Sequence, residues 1–481
     1  MTFISLSYLF VFLPIVLGLY YVFRKNLGAN LVILVASYIF YGSSGLWFLI
    51  PLVFTSLLDF CMALALSKTD RARYRKLLLI ISLSANLGLL GFFKYAPWII
   101  LNLNSVFAAA GTHVVLPVLA VTLPPGISFY TFQTMSYTIE VYRREMQASR
   151  RLIDYMAFVT FWPHLVAGPI MRARNLLHQL ETVRPIISAE DARYAILLIA
   201  WGIFKKSVLA DNFGNIVDSV DRMAISNALP AGSGLIFAYA FAGQIYCDFS
   251  AYTDIARGSA KLINIDLMRN FHTPYFAVSP GDFWRRWHIS LSTWLRDYLY
   301  IPLGGNRFGR WREIRNLMIT MVLGGLWHGA GFLFVAWGFW HGLLLVIYRI
   351  APIDRGLTRL FGPVGKWISI ILTFHLVCFG WILFRSSSNT VGPILWSIAA
   401  MFTGGEVPSF FAVYDVIVRG LLVLGTITLL TDLVGYWKRV EFEDLFQKLH
   451  PSLWVALMAL CYFGVMLFGK RESAQFIYFQ F

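Results

Sequence analysis

Residues 283–329 read FWRRWHISLSTWLRDYLYIPLGGNRFGRWREIRNLMITMVLGGLWHG, and both the fold and the chemistry turn on this stretch. Two histidines, His288 and His328, stand near its ends among tryptophans and apolar side chains. At about 100° per residue, a helix over 284–298 gathers Arg285, His288, Ser292 and Arg296 into an arc roughly 80° wide. Trp284, Trp287, Leu291, Trp294 and Tyr298 fill a second arc of similar width, so one face can hold a polar site while another packs. The run Pro302-Leu303-Gly304-Gly305-Asn306 must then turn the chain. After a basic stretch, an apolar run delivers His328 between Trp327 and Gly329, with Gly324 and Gly325 allowing a close backbone approach just before it.

The surrounding composition is that of a membrane protein. Of 481 residues, 58% are hydrophobic, 17% aromatic and 14% charged, with a mean hydropathy of +0.65. Soluble domains carry about 25% charge, so the chain reads as an all-α polytopic membrane protein. Its net charge of +15 sits in short connectors, as in cytoplasmic loops, and no extended polar surface offers a groove to nucleic acid. Cys61, Cys247, Cys378 and Cys461 lie in apolar runs without paired spacing, which indicates packing residues and neither a disulfide framework nor a metal site. The first charges, Arg24 and Lys25, follow the first apolar run, so no cleaved leader is expected. A lone histidine in apolar surroundings is more often a structural residue than a catalyst. Two histidines and two arginines in one membrane-embedded stretch point the other way, because ionisable groups there are expensive and face an interior cavity.

One integral membrane domain is expected over 1–481, with N-terminal spans in 1–120, a catalytic core in 121–349 and scaffold helices in 350–481. Residues 5–23, 31–49, 50–66 and 77–93 read as spans. The connector 67–76 reads as a solvated cytoplasmic loop, which puts the N-terminus outside. Residues 96–122 are apolar but interrupted by Asn102, Asn104 and Gly111, which suggests an interfacial or re-entrant piece. Residues 126–142 predict a helix unusually rich in hydroxyls, ending at Arg143, Arg144, Arg150 and Arg151. Pro163, Gly168 and Pro169 break 158–175 into a segment dipping into the membrane, and 176–192 is amphipathic and surface-lying. Further spans are expected at 193–210, 232–247, 316–326, 331–349, 366–384, 411–432 and 452–469. Gln244, Asp248 and Asp254 in QIYCDFSAYTDIARG read as structural polar residues, paired with arginine or tyrosine to hold the bundle. There is no internal repeat, low-complexity tract or Gly-rich phosphate loop.

A sheltered histidine acting as general base contributes about 10²–10⁴-fold in rate, and burial favours the neutral, proton-accepting imidazole. Acyl transfer also requires a hydroxyl acceptor, an activated donor and stabilisation of an oxyanion. Arg285, Ser292 and the Trp327 indole are candidate donors for that. No GxSxG elbow is present, so direct base-assisted attack is the economical mechanism.

The string DFWRRWHISLSTWLRDYLYIPLGGNR followed by GGLWHGAG resembles the membrane-bound O-acyltransferase superfamily, and within it the bacterial alginate O-acetyltransferase branch. LPPGISFYTFQTMSYTIEVYR, AGPIMR and QIYCDFSAYTDIARG carry the same resemblance, which is strong over 120–345 and weak in the C-terminal third. It implies that His328 is the family's active-site histidine and His288 its second active-site polar residue. Trp284, Arg285, Trp287, Ser292, Arg296 and Trp327 are then expected along the donor tunnel. The implied fold is a ring of tilted transmembrane helices with re-entrant segments around a central tunnel, in the bacterial inner membrane. The implied activity moves an acetyl group from a cytoplasmic thioester towards an extracytoplasmic polysaccharide such as alginate, directly or through a secreted acetyltransferase partner. Acetyl-CoA or another acyl thioester enters as substrate, with no bound cofactor and membrane lipid around the helices. D-alanyl or other acyl transfer from a carrier protein is the competing enzymatic reading, and a polymer transporter or flippase the non-enzymatic one. Transporters often show repeated halves, which this sequence lacks. With Arg24–Lys25, 68–76 and 143–151 all basic, an Ala72→Cys variant should resist a membrane-impermeant thiol reagent added outside intact cells. Labelling there would reverse the orientation.

Overall fold

The computed structural model describes residues 1–25, 27–226, 229–403, 408–470, 476 and 477, the side chains of 408–416 excepted. All regular structure among them is helical, and no strand occurs. Among the described residues, six helices are long and apolar enough to cross a membrane: Leu46–Ser67, Ala72–Ala109, Phe332–Ile350, Ile353–Arg385, Ile417–Lys438 and Pro451–Phe468. Few residues of the last two are buried, as expected of lipid-facing helices. The chain is therefore an all-α polytopic membrane protein, and it divides into two compact units. One comprises Met1–Ile196 with Ile255–Met268, the other Leu197–Asp254 with Arg269–Phe481.

In the first unit, the expected break near residue 96 is absent, because Ala72–Ala109 runs through as one helix. The π-turn Gly91–Tyr95, closed by the Ala96 N–H on the Gly91 carbonyl, lies just before Pro97, which has no N–H to donate. Tyr8–Phe12 does the same before Pro14. The turn between the second and third spans falls at 43–45, where Gly45 has φ +150°, and not at 49–50. The 67–76 connector is shorter than expected and not fully solvated. Its Arg75 is buried and donates to the carbonyls of Leu66, Thr69, Val141 and Tyr142, closing two helix ends. The hydroxyl-rich helix Ile127–Tyr142 is buried almost throughout. Several of its polar groups are met internally, as lipid requires: Gln133 bonds His164 at 2.9 Å and the Phe158 carbonyl at 2.8 Å. Asp59 accepts from Ser82 (2.5 Å) and Asn86 (2.8 Å), and Thr134 donates to Asn86. The segment 158–175 is broken as expected, into Leu152–Thr160, Trp162–Leu165 and Ala173–Glu181. The last of these is amphipathic, burying Leu176, Leu177 and Leu180.

In the second unit, Ser233–Lys261 supplies residues up to Asp254, and Arg310–His328 pairs with Phe332–Ile350. That pair meets through glycine. A Cβ at Gly338 would lie 2.4 Å from the Met321 carbonyl oxygen, and one at Gly325 would lie 2.2 Å from that of Phe334. Gly338 and Gly342 form a small-xxx-small stripe, the pattern that lets membrane helices approach closely. The long helix Ile353–Arg385 kinks at Gly362, whose φ of +56° precedes Pro363. Gly338→Val should lower the thermal midpoint of the detergent-solubilised protein, in keeping with about 1–3 kcal/mol for overpacking. Gly356→Val, where nothing lies within 4 Å, is the control and should leave it unchanged.

Candidate active site

The helix expected over 284–298 does not form as one piece. Pro280–Arg286 ends at Trp287, and a new helix runs Ile289–Leu295, followed by the π-turn Arg296–Tyr300. His288 sits in the break with φ +43° and ψ +54°, a left-handed conformation costing about 1–2 kcal/mol for a non-glycine residue. The shared polar face of Arg285, His288, Ser292 and Arg296 is thereby lost. His288 is 0% exposed, whereas the side chains of Arg285 and Arg296 are 72% and 58% exposed. Arg285 pairs with Asp282 at 3.3 Å and Arg296 with Asp297 at 2.7 Å. The Ser292 hydroxyl donates to the Trp287 carbonyl at 3.0 Å, which commits it to the backbone of the break.

The two histidines do meet. His328 is the last residue of Arg310–His328, and its ring centroid lies 6.3 Å from that of His288. Aromatic rings enclose both. Phe249 stands edge-on to His288 at 4.6 Å, and Trp327 is 6.0 Å from it. Trp327, Trp337 and Phe384 surround His328 at 5.0, 5.1 and 5.2 Å. Trp284 and Trp287, expected along the donor path, pack in the same cluster, against Trp337 at 5.7 Å and Trp381 at 4.9 Å respectively.

A third histidine joins the cluster, one that the sequence reading does not single out. His341 is fully buried between Trp337 (4.9 Å) and Trp284 (5.2 Å), with its Nε2 against the backbone of Gly380. Its signal was present, because Trp-His-Gly occurs at 327–329 and again at 340–342. Trp381 and Phe384 also show that the C-terminal third walls the site as well as scaffolding it.

Asp254 and Asp248 pair with the adjacent lysines Lys205 and Lys206. The π-turn Lys205–Ala210 places two adjacent lysines inside the unit. Lys205 meets Asp254 and Glu443, the latter at 2.8 Å, and Lys206 meets Asp211 and Asp248 at 2.9 Å each. Asp248 also accepts from the backbone N–H of Ile477 at 2.8 Å. Gln244 is buried against Gly214. Burial pushes the Glu443 carboxyl up, but the Lys205 ammonium outweighs it and holds the group well below the usual carboxylate range. Two lysines in an apolar run were the legible sign of this cluster, since intramembrane charges are kept only where they are paired or used.

The family model described as MBOAT, membrane-bound O-acyltransferase family, matches residues 33–351. The chain is 40% identical over 413 residues to the probable alginate O-acetylase of Pseudomonas putida, covering 84% of this chain and 81% of that one. It is 33% identical over 410 residues to the peptidoglycan O-acetyltransferase of Helicobacter pylori, covering 79% and 76%. It is 28% identical over 275 residues to the teichoic acid D-alanyltransferase of Bacillus subtilis, covering 54% and 68%. His288, His328 and His341 all fall inside the region matched by the family model.

Lys205→Met removes the ammonium that Asp254 and Glu443 share, a change of the order of 3–5 kcal/mol. The variant should fail to accumulate in the membrane or should unfold markedly earlier in detergent. Wild-type abundance and midpoint would show that the pair bears no structural load.

Proposed function

The chain belongs to the membrane-bound O-acyltransferase family, and on that footing we propose that it carries an acetyl group from cytoplasmic acetyl-CoA towards hydroxyls of an extracytoplasmic polysaccharide, directly or through a secreted acetyltransferase partner. The observation that carries this reading is the meeting of His288 and His328, from separate helices, inside one buried aromatic cage. His328 is the general base. Its imidazole takes the proton of the acceptor hydroxyl as the oxygen attacks the thioester carbonyl. The C–S bond then breaks, and the same proton returns to the leaving thiolate, so no net proton is consumed. His288 donates a hydrogen bond to the carbonyl oxygen as it gains charge. The rings of Trp327, Trp337 and Phe384 keep bulk water from competing for the acyl group.

The protein sits in the bacterial inner membrane with its N-terminus outside, and donor and acceptor meet through a tunnel between its helices. Relatives named for alginate and peptidoglycan O-acetylation match a larger share of the chain than the D-alanyltransferase does, which favours acetyl over D-alanyl transfer.

Proteoliposomes supplied with acetyl-CoA or with an acylated carrier protein separate the readings by release of free thiol. Acetyl-CoA consumption supports the proposal, carrier-only consumption favours the D-alanyl-type reaction, and consumption of neither sinks both. His328→Ala should insert normally and lose about 10²–10⁴-fold in transfer. His288→Ala should lose less, and His288→Asn should regain part of it, because an amide still donates and asparagine tolerates left-handed backbone. Normal transfer by His328→Ala at normal abundance would make that histidine structural.

A further inference from the structure

His288 is held in a backbone conformation that its own sequence disfavours, so something outside the break must impose it. Two backbone hydrogen bonds bracket the break: His272 N–H to the Arg286 carbonyl and Ile289 N–H to the Asn270 carbonyl, both 2.9 Å. Between them, one residue on the first side, Phe271, faces two on the other, Trp287 and His288. That is the two-against-one count of a β-bulge, a device that re-aims a side chain, built here without a strand on either side.

Asn270 also reaches across with its side chain. Its Oδ1 accepts from the Ser290 hydroxyl at 2.6 Å and the Ser290 N–H at 3.3 Å, at the start of the Ile289–Leu295 helix. Its Nδ2 donates to Thr253 Oγ1 at 3.4 Å, on the helix that carries Phe249. Asn270, Ser290 and Thr253 are all buried. The backbone and side chain of one residue therefore fix the two positions that follow His288, and tie them to the ring that His288 packs against.

We propose that Asn270 is the positioning residue for His288: its Oδ1 caps the helix that begins after the break and so aims the imidazole at His328. This rests on the reading of His288 as an active-site group. The Asn270 side chain is committed to Ser290 and Thr253, so its loss acts through the histidine. A displacement of about 1 Å at a reacting group costs up to about 10²-fold in rate.

The test compares Asn270→Ala and Asn270→Asp in proteoliposomes, each in the wild-type and His288→Asn backgrounds, with membrane abundance measured alongside. Asn270→Ala should lower kcat by about 10–100-fold with apparent KM changed by about twofold at most. Asn270→Asp keeps the acceptor for Ser290 and should stay within about threefold of wild type. In the His288→Asn background the same Ala change should cost less than about threefold, because an asparagine adopts the left-handed turn more readily. Unchanged kcat in Asn270→Ala, or equal losses in both backgrounds, overturns the proposal. Should Asn270→Ala fail to accumulate, Asn270→Asp decides alone: loss of transfer at normal abundance overturns it, and retention supports it. A wild-type protein that consumes no thioester would instead defeat the acyl-transfer reading, whatever the variants do.

Discussion

Hydrocarbon offers no water to a charge, and the site-bearing unit is organised around meeting that constraint at one place. Lys205 and Lys206, successive residues on one π-turn, point in directions about 90–100° apart. Each takes two carboxylates, drawn from Asp211, Asp248, Asp254 and Glu443. Removing either lysine takes the counter-ion from two buried carboxylates, which is far more costly than the pairing is beneficial. The arrangement is thus a strong specifier of register whatever its net stability. It fixes the rotation of the Ser233–Lys261 helix, and with it Phe249, whose ring faces His288.

The histidine site inherits its rigidity from both sides of this frame. On one side, Gly325 and Gly338 bring two helix backbones close enough that Arg310–His328 and Phe332–Ile350 pack as one element. That element carries His328 and His341 together, with Trp337 between them. On the other side, His288 hangs from a bulge between two helices of seven residues each. Helices that short have no stability of their own, so contacts with Asn270, Phe271 and Phe249 decide where His288 points.

Much of this was legible in the residues. Hydropathy and loop charge identified an all-α polytopic protein, and the motifs around His288 and His328 named the family. The failures share a physical origin. A helical wheel over 284–298 assumes continuous α-geometry, and nothing in FWRRWHIS announces a residue at positive φ. Asn102 and Asn104 likewise read as interruptions, yet the helix runs through both to Ala109. Lys205 and Lys206 are hidden in a long apolar window that averages them away, though each ionisable group within it calls for a partner. Arg75 counted as a loop charge and is in fact the cap of two helix ends. His341 needed only the repeated Trp-His-Gly to be noticed, while the role of Asn270 depends on a pairing of segments that no local pattern encodes.

The bulge at His288 also sets how substitutions in this protein express themselves. Because the imidazole's aim is borrowed from neighbours, a change in a ring such as Phe271, packed against Trp287, reorients it. The packed pair that carries His328 behaves oppositely, since a misfit at Gly325 or Gly338 is felt by the whole element. One histidine is adjustable by remote packing and the other is anchored. Variation that retunes the enzyme for a new acceptor has its softest point of entry beneath His288.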